Sequence, residues 1–286
     1  MTMIERLVEL IRETSSSLPE DVLKAIRSAM RRETRGKSAA VVLKTILDNC
    51  ALAKKQSTPL CQDTGTLAFY VDESLKRKVT PAVIKRAVAI ATERGYLRKN
   101  CIDSVTGKSY DDNCCDGAPV VHYVGNGELG IGNGRVTLLL KGGGSENMSR
   151  QYSLPDASLG AGRDLEGVRK CILDAVVKAQ GFGCAPGILG VCIGGDRATA
   201  YEVAKEQLLR PLDASEELRV KNEELRKLEK RVLKEANELG IGPMGLGGRT
   251  TLLGVKIASR PRVPASFFVT IAYMCWACRR RTMSFE

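Results

Sequence analysis

The chain has 286 residues, of which 43% are apolar and 27% charged, and Lys+Arg 44 against Asp+Glu 33 give a net charge of +11. This balance excludes a disordered chain, and no stretch approaches the roughly 20 apolar residues of a membrane span. Aromatic residues are only 5%, and the chain shows no zinc-finger spacing, RNP-type motif or aromatic-interleaved basic groove. Nucleic acid is therefore not the expected partner, and the positive charge points to an acidic partner subunit or a small anion.

At the N-terminus Ile4, Leu7, Val8 and Ile11 recur at helical spacing, with Glu5, Arg6 and Glu9 between them. Those charges break up the apolar run that a signal peptide needs, so a cytoplasmic protein is expected. Pro19, Glu20 and Asp21 form a helix start, and "SAAVVLKTILDNCALAKKQ" is a further amphipathic run, so the first sixty residues read as helical. "TLAFYVD" reads as a strand, "PAVIKRAVAIATERGYL" as a helix opened by Pro81, and "APVVHYVGN" and "GRVTLLLKG" as strands. The glycine turn "GGGSEN" follows. A helix over Asp164–Gln180 leads into "GFGCAPGILGVCIGG", an apolar segment with six glycines, where the backbone can approach a ligand closely.

Another helix is expected from Ala198 to Leu209. Over 215–239, Leu218, Leu225, Val232 and Leu239 recur at intervals of seven, with Leu228 between them. This helix should pack on the body or on a partner, and it marks the one visible seam if the chain has two lobes. Two more apolar strands follow, then a cysteine pair and a run of arginines. The alternation predicts an α/β fold over 1–286, as a single domain or two lobes: a mixed sheet with flanking helices, a helical N-terminal region, and the cysteine loops at one end of the sheet.

Ten cysteines in a reducing compartment do not suggest a disulfide framework. Cys50, Cys171 and Cys192 lie within helical or strand patterns and read as small buried hydrophobes. Cys61 in "CQDTG", Cys184 in "GFGCAPG" and Cys275 in "YMCWACRR" sit instead in turns beside apolar strands. Thiolates suit iron–sulfur clusters and zinc, and loops distant in sequence can bring such ligands together. Three cysteines would leave one iron of a cubane cluster open, with Gln62 and Asp63 beside it for hydrogen bonding and proton transfer.

The Cys275–Cys278 pair also admits a redox pair or half a zinc site, but it ends a strand rather than opening a helix, and no second close pair completes a zinc site. "GVCIGG" lacks the dinucleotide-binding register. His122, the sole histidine, reads as a satisfied core residue. Arg98 in "GYLRKN" is a candidate for carboxylate recognition.

"CQDTG", "GYLRKN", "KGGGSENMS", "GFGCAPGILGVCIGGDR" and "PASFFVTIAYMCWACRR", in that order, resemble the α subunit of iron–sulfur-dependent class I fumarate hydratases and the related tartrate dehydratases. The resemblance implies a [4Fe–4S] cluster on Cys61, Cys184 and Cys275, with Cys278 as a less favoured third ligand. It also implies reversible hydration of fumarate to L-malate, a tricarboxylic acid cycle reaction. Gln62, Arg98 and Gly144 match positions around a small dicarboxylate substrate, and Asp63 matches the acid for the departing hydroxyl.

Single-chain members carry a C-terminal domain with further catalytic groups. This sequence is expected to receive them from a β subunit, in an α2β2 assembly. Family members often place a histidine before "Pro-Ala-Ser", where this chain has Val263. Either Arg262 substitutes, or substrate preference differs, or activity is reduced. The α subunit of an L-tartrate dehydratase is the nearest alternative. A non-enzymatic basic protein that binds an acidic partner or nucleic acid is the alternative of another class.

Overall fold

A computed structural model describes residues 1–125, 133–213 and 222–285. In chain order its elements are α1 (Met3–Ser16), α2 (Glu20–Arg32), α3 (Ser38–Gln56), β1 (Thr66–Asp72), α4 (Pro81–Glu93), β2 (Cys101–Ile102), β3 (Ser109–Tyr110), β4 (Val120–Val124) and β5 (Arg135–Lys141). There follow α5 (Gly143–Glu146), β6 (Arg150–Ser153), α6 (Leu165–Ala179), β7 (Gly187–Gly194), α7 (Arg197–Gln207), α8 (Glu223–Glu238), β8 (Leu252–Arg260), β9 (Phe268–Met274) and β10 (Arg279–Ser284). The α/β class and the helical first sixty residues agree with the sequence reading. The chain forms two compact units: Met1–Pro19 with Leu47–Gly143 and Ala277–Glu286, and Glu20–Ile46 with Gly144–Trp276.

The first unit carries a mixed sheet in the order β10-β5-β1-β4, with β1 parallel to β4 and antiparallel to β5. All but the first residue of β5 is buried, which accounts for its near-continuous apolar run "VTLLL". Phe69, Val71, Val136, Leu138 and Leu140 of this sheet share one core with Leu7, Leu10 and Ile11 of α1 and Ile84 and Val88 of α4. Thr2 and Glu5 close a reciprocal capping box at the start of α1. Pro81 opens α4 as expected, with Thr80 as its cap, but the helix ends at Glu93, ahead of a Gly95 turn with φ +73°.

The arginine run belongs to a strand, which the sequence reading leaves unassigned. β10 pairs antiparallel with β5, and Arg279 and Arg280 are buried. Its neighbour Arg281 is held by Glu13 (3.1 Å) and the Ser17 hydroxyl (2.9 Å) at the end of α1, so fixed acceptors replace water. His122 is half-buried on β4 and stacks on Tyr70, its cross-strand neighbour, at 4.9 Å between ring centroids.

The second unit carries a mixed sheet in the order β6-β9-β7-β8. Every residue of β7 is buried. Gly190 lets α7 lie directly on it, since a Cβ there would overlap the Ala204 carbonyl. Burial pushes the thiols of Cys171 and Cys192 up to about 12 and about 11, as befits the small hydrophobes expected from their patterns.

The heptad helix was expected over 215–239. Residues 214–221, Leu218 among them, lie outside the described residues. In α8, Leu225, Leu228, Val232 and Ala236 are buried, while Leu239 is 41% exposed. A 3.6-residue turn rotates a strict seven-residue series off the core, and Ala236 takes the place that Leu239 was expected to fill. The helix packs on β8 inside the second unit and is no seam. Glu229 on α8 accepts from Ile257 N–H (2.7 Å) and from Arg210 (3.3 Å), so an acid on the helix covers the exposed edge of β8. Among the described residues no helix is long and apolar enough to cross a membrane.

Candidate functional site

The turn Cys61–Gly65 of the first unit is anchored at its start. Leu60 N–H donates to Ser15 O (2.9 Å), and Asn49 Nδ2 donates to Leu60 O (3.0 Å). The Cys61 thiol is half-buried, with Gln62 Oε1 at 3.7 Å, and the Gln62 side chain is exposed. Thr64 is buried and bonds twice to the Arg98 backbone, its hydroxyl donating to Arg98 O (3.0 Å) and accepting from Arg98 N–H (3.0 Å). Asn113 holds the same segment from the other side. Its Nδ2 donates to Arg98 O (2.9 Å), and its Oδ1 accepts from the N–H groups of Asn100 (2.7 Å) and Cys101 (3.1 Å). Arg98 itself is exposed, an exposed cation on a fixed backbone.

Asp63 is held from three directions. Arg279 Nη2 donates to its backbone carbonyl (2.8 Å), Asn100 Nδ2 donates to Oδ1 (3.3 Å), and Gly142 stands beside Oδ2, where an added Cβ would come within 2.9 Å. The turn thus joins the expected Gln62, Asp63 and Arg98 to one local scaffold with Cys61. Sequence reasoning missed Thr64, Asn100, Asn113, Gly142 and Arg279. "CQDTG" holds Thr64 and "GYLRKN" holds Asn100, but Asn113 lies in neither, because the bonds that connect these residues join segments distant in sequence. Gly144 was expected beside the substrate, and the glycine next to Asp63 is Gly142, where an added Cβ would come within 2.9 Å of Oδ2. Gly144 is exposed, and a Cβ there would meet nothing within 4 Å.

In the second unit Cys184 and Cys275 come together. Trp276 N–H donates to Cys184 O (3.2 Å), so the loop after β9 is tied to the loop before β7. Cys184 adopts a left-handed conformation with φ +52°, an uncommon one for a side chain with a Cβ and a mark of a loop held by its surroundings. Cys184 is half-buried and Cys275 buried. Between the loops lies the buried ring of Tyr273. Burial first, then the charge that Cys275 and Cys184 would carry as thiolates, raises its phenol well above the usual tyrosine range. A neutral, apolar ring beside two thiols is a fitting wall for a thiolate-held group.

The glycines here serve the protein's own packing. A Cβ on Gly183 would stand 2.6 Å from Tyr273 Cζ, and one on Gly187 would stand 2.5 Å from its hydroxyl oxygen. Gly183→Ala is therefore expected to cost roughly 1–3 kcal/mol by overpacking, since Gly187 blocks the ring's retreat. A urea midpoint unchanged from the parent chain would show that the loop yields instead.

Cys278 is fully buried in the segment that belongs to the first unit. Among the described residues no three His, Cys, Asp or Glu side chains form a group that could hold a metal ion. Two of the three expected ligands thus stand together in one unit, and Cys61 belongs to the other. Val263 is 64% exposed. Arg262 is not free to replace a missing histidine: it donates to the carbonyls of Val263 (3.2 Å), Pro264 (3.0 Å) and Ser266 (3.1 Å) and lies over the Phe267 ring.

Comparison with known proteins adds a family to this geometry. The model of the family described as Fumarate hydratase (Fumerase) matches residues 4–284. A Geobacillus stearothermophilus protein named as a fumarate hydratase class I is 48% identical over 283 residues, which are 97% of this chain and 54% of that protein. The chain thus spans about half the length of that relative. A Methanocaldococcus jannaschii protein named as an L(+)-tartrate dehydratase subunit alpha is 34% identical over 98% of this chain and 96% of its own length. An Escherichia coli L(+)-tartrate dehydratase subunit alpha is 28% identical over 94% of this chain and 86% of its own.

Proposed function

The chain belongs to the fumarate hydratase family, and from that premise we propose that it is the α subunit of a two-chain [4Fe–4S] hydro-lyase that reversibly hydrates fumarate to L-malate. The observation that carries the choice of substrate is the 48% identity, over nearly the whole chain, to a relative named as a fumarate hydratase class I. The tartrate dehydratase relatives support a two-chain assembly with a β subunit, since each is named as a subunit alpha. They also make L-tartrate the second reading. The net charge of +11 suits both an acidic partner and a dianionic substrate. A cytoplasmic setting goes with ten cysteines of which none is in a disulfide.

In this reading Cys61, Cys184 and Cys275 would hold the cluster, and what supports it is the chemistry of the donors, since thiols are the ligands such clusters take. When bound, such a cluster supplies an open iron as a Lewis acid toward the substrate hydroxyl. Arg98 takes a substrate carboxylate through its planar guanidinium, on a backbone that Thr64 and Asn113 keep from moving. Gln62 hydrogen-bonds the substrate, and Gly144, in the first turn of α5, lets it approach the backbone. In the dehydration direction Asp63 gives its proton to the departing hydroxyl as the C–O bond breaks. In hydration it takes a proton from water. The group that removes the carbon-bound proton is assigned to the β subunit.

Anaerobic reconstitution of the αβ complex should load roughly four irons per α chain. Replacing Cys61, Cys184 or Cys275 singly by serine should lower that content sharply, and full iron in any of the three variants removes that residue from the ligand set. Turnover of fumarate well above that of L-tartrate is expected. The reverse order would select the second reading.

A further inference from the structure

Besides the buried Cys50 and Cys278, three half-buried cysteines of the first unit take no part in the site above: Cys101, Cys114 and Cys115. Two of them are paired. The Cys101 and Cys115 sulfurs are 3.3 Å apart, both half-buried. The Cys114 thiol turns away, donating to the carbonyls of Lys85 (3.4 Å) and Asp112 (3.5 Å).

The pair is held on both sides by groups other than the thiols. Asn113 Oδ1 accepts from Asn100 N–H (2.7 Å) and Cys101 N–H (3.1 Å), which clasps the Cys101 backbone to the turn two residues before Cys115. Cys115 is fixed in turn by a two-way backbone bridge to Ala118 (3.0 and 3.3 Å) and by Lys85 Nζ, which donates to its carbonyl (2.9 Å). Cys101 also starts the β2–β3 ribbon, its Cα register partner being Tyr110.

The geometry points to a reversible disulfide between Cys101 and Cys115, a modification site separate from the three proposed cluster ligands. The sulfurs need to close by only roughly 1.3 Å to reach a bonded length of about 2.0 Å. A bond there ties the segment that carries Arg98 and Asn100 covalently to the turn that carries Asn113. In a reducing compartment a disulfide of this kind is transient, set by the ambient thiol–disulfide ratio rather than part of the fold.

The oxidant is a low-molecular-weight disulfide. One cysteine of the pair, as thiolate, attacks a sulfur of the oxidant and expels one thiol of it, leaving a mixed disulfide. The second cysteine attacks the protein sulfur of that mixed disulfide and expels the other thiol. Two protons and two electrons leave the pair, and the oxidant is reduced to two thiols. Burial, and the contact with Cys115, push the Cys101 thiol up to about 11, which lowers the thiolate fraction available for attack by Cys101 itself.

The test equilibrates the full chain, kept anaerobic, in buffers of rising glutathione disulfide to glutathione ratio, followed by alkylation, trypsin and mass spectrometry. The expected product joins peptide 100–108 to peptide 109–135 with the loss of two hydrogens. It should revert with dithiothreitol, disappear in Cys101→Ser and Cys115→Ser, and persist in Cys114→Ser. Only glutathione adducts or alkylated thiols at these positions would overturn the proposal. So would a link that survives in Cys115→Ser, because that link would belong to Cys114.

Discussion

Asp63→Asn, in the reconstituted αβ complex, is expected to keep iron near the parent content while kcat for fumarate falls by roughly 10²-fold or more and KM moves far less. The argument begins with how the carboxylate is held. Its backbone carbonyl is fixed by the buried Arg279, Oδ1 accepts from Asn100, and Oδ2 faces the Gly142 backbone. An asparagine fills the same volume and still offers Oδ1 to Asn100, so the turn and Cys61 should stay where they are. It cannot give a proton to a departing hydroxyl, and a positioned acid contributes typically 10²–10⁴-fold to rate. A side chain that only capped its own Asp-Thr-Gly turn would be replaced by asparagine almost without loss. Near-parental turnover with full iron would therefore move the proton transfer off this residue, and a loss of iron would show that Asp63 positions Cys61 instead.

Gly65→Ala is expected to lower stability by about 2–5 kcal/mol, a sizeable share of the roughly 5–15 kcal/mol that holds a folded chain together. Gly65 has φ +77°, a conformation that costs a residue with a Cβ about 1–2 kcal/mol. The added Cβ would also overlap the Lys141 carbonyl and stand 2.7 Å from Gly142 N. Those neighbours are backbone at the end of β5, where Thr66 and Lys141 set the register of the β1–β5 pairing, so they cannot turn aside. Relief must come from separating the two strands or from pushing the Cys61–Thr64 turn outward. The first outcome lowers the urea midpoint, and the second moves Asp63 away from Gly142 and lowers turnover as well. A variant equal to the parent in both measurements would contradict the packing described for this turn.

Much of the architecture was readable from local patterns. Pro81 opening α4, the alternation of helix and strand, the buried run of β5 and the Asp164–Gln180 helix all follow from residues close in sequence, whose spacing and capping chemistry act within a few turns. The candidate chemistry was readable too, since "CQDTG", "GFGCAPG" and "MCWAC" place thiols, an amide and a carboxylate in turns, where side chains are not consumed by regular packing. Local pattern could not show that Arg279–Ser284 is a strand. A run of three arginines reads as solvated until Glu13 and the Ser17 hydroxyl, more than 260 residues earlier, provide acceptors for its third member. Nor could it place Leu239, which leaves the core because a helix of 3.6 residues per turn drifts from a seven-residue repeat.

The glycines of 181–195 divide the two kinds of information most clearly. Composition established that something approaches that backbone closely. Tertiary structure decided that it is the Tyr273 ring and the carbonyls of Ala204, Met244 and Arg260, all supplied by the chain itself. The same holds for Asp63. Its residue type and turn were evident in sequence, but its neighbours Asn100, Gly142 and Arg279 arrive from 37, 79 and 216 positions away. Contacts over such distances form only after strand pairing has closed the loops between them, and no local propensity carries a trace of which residues that closure will bring together.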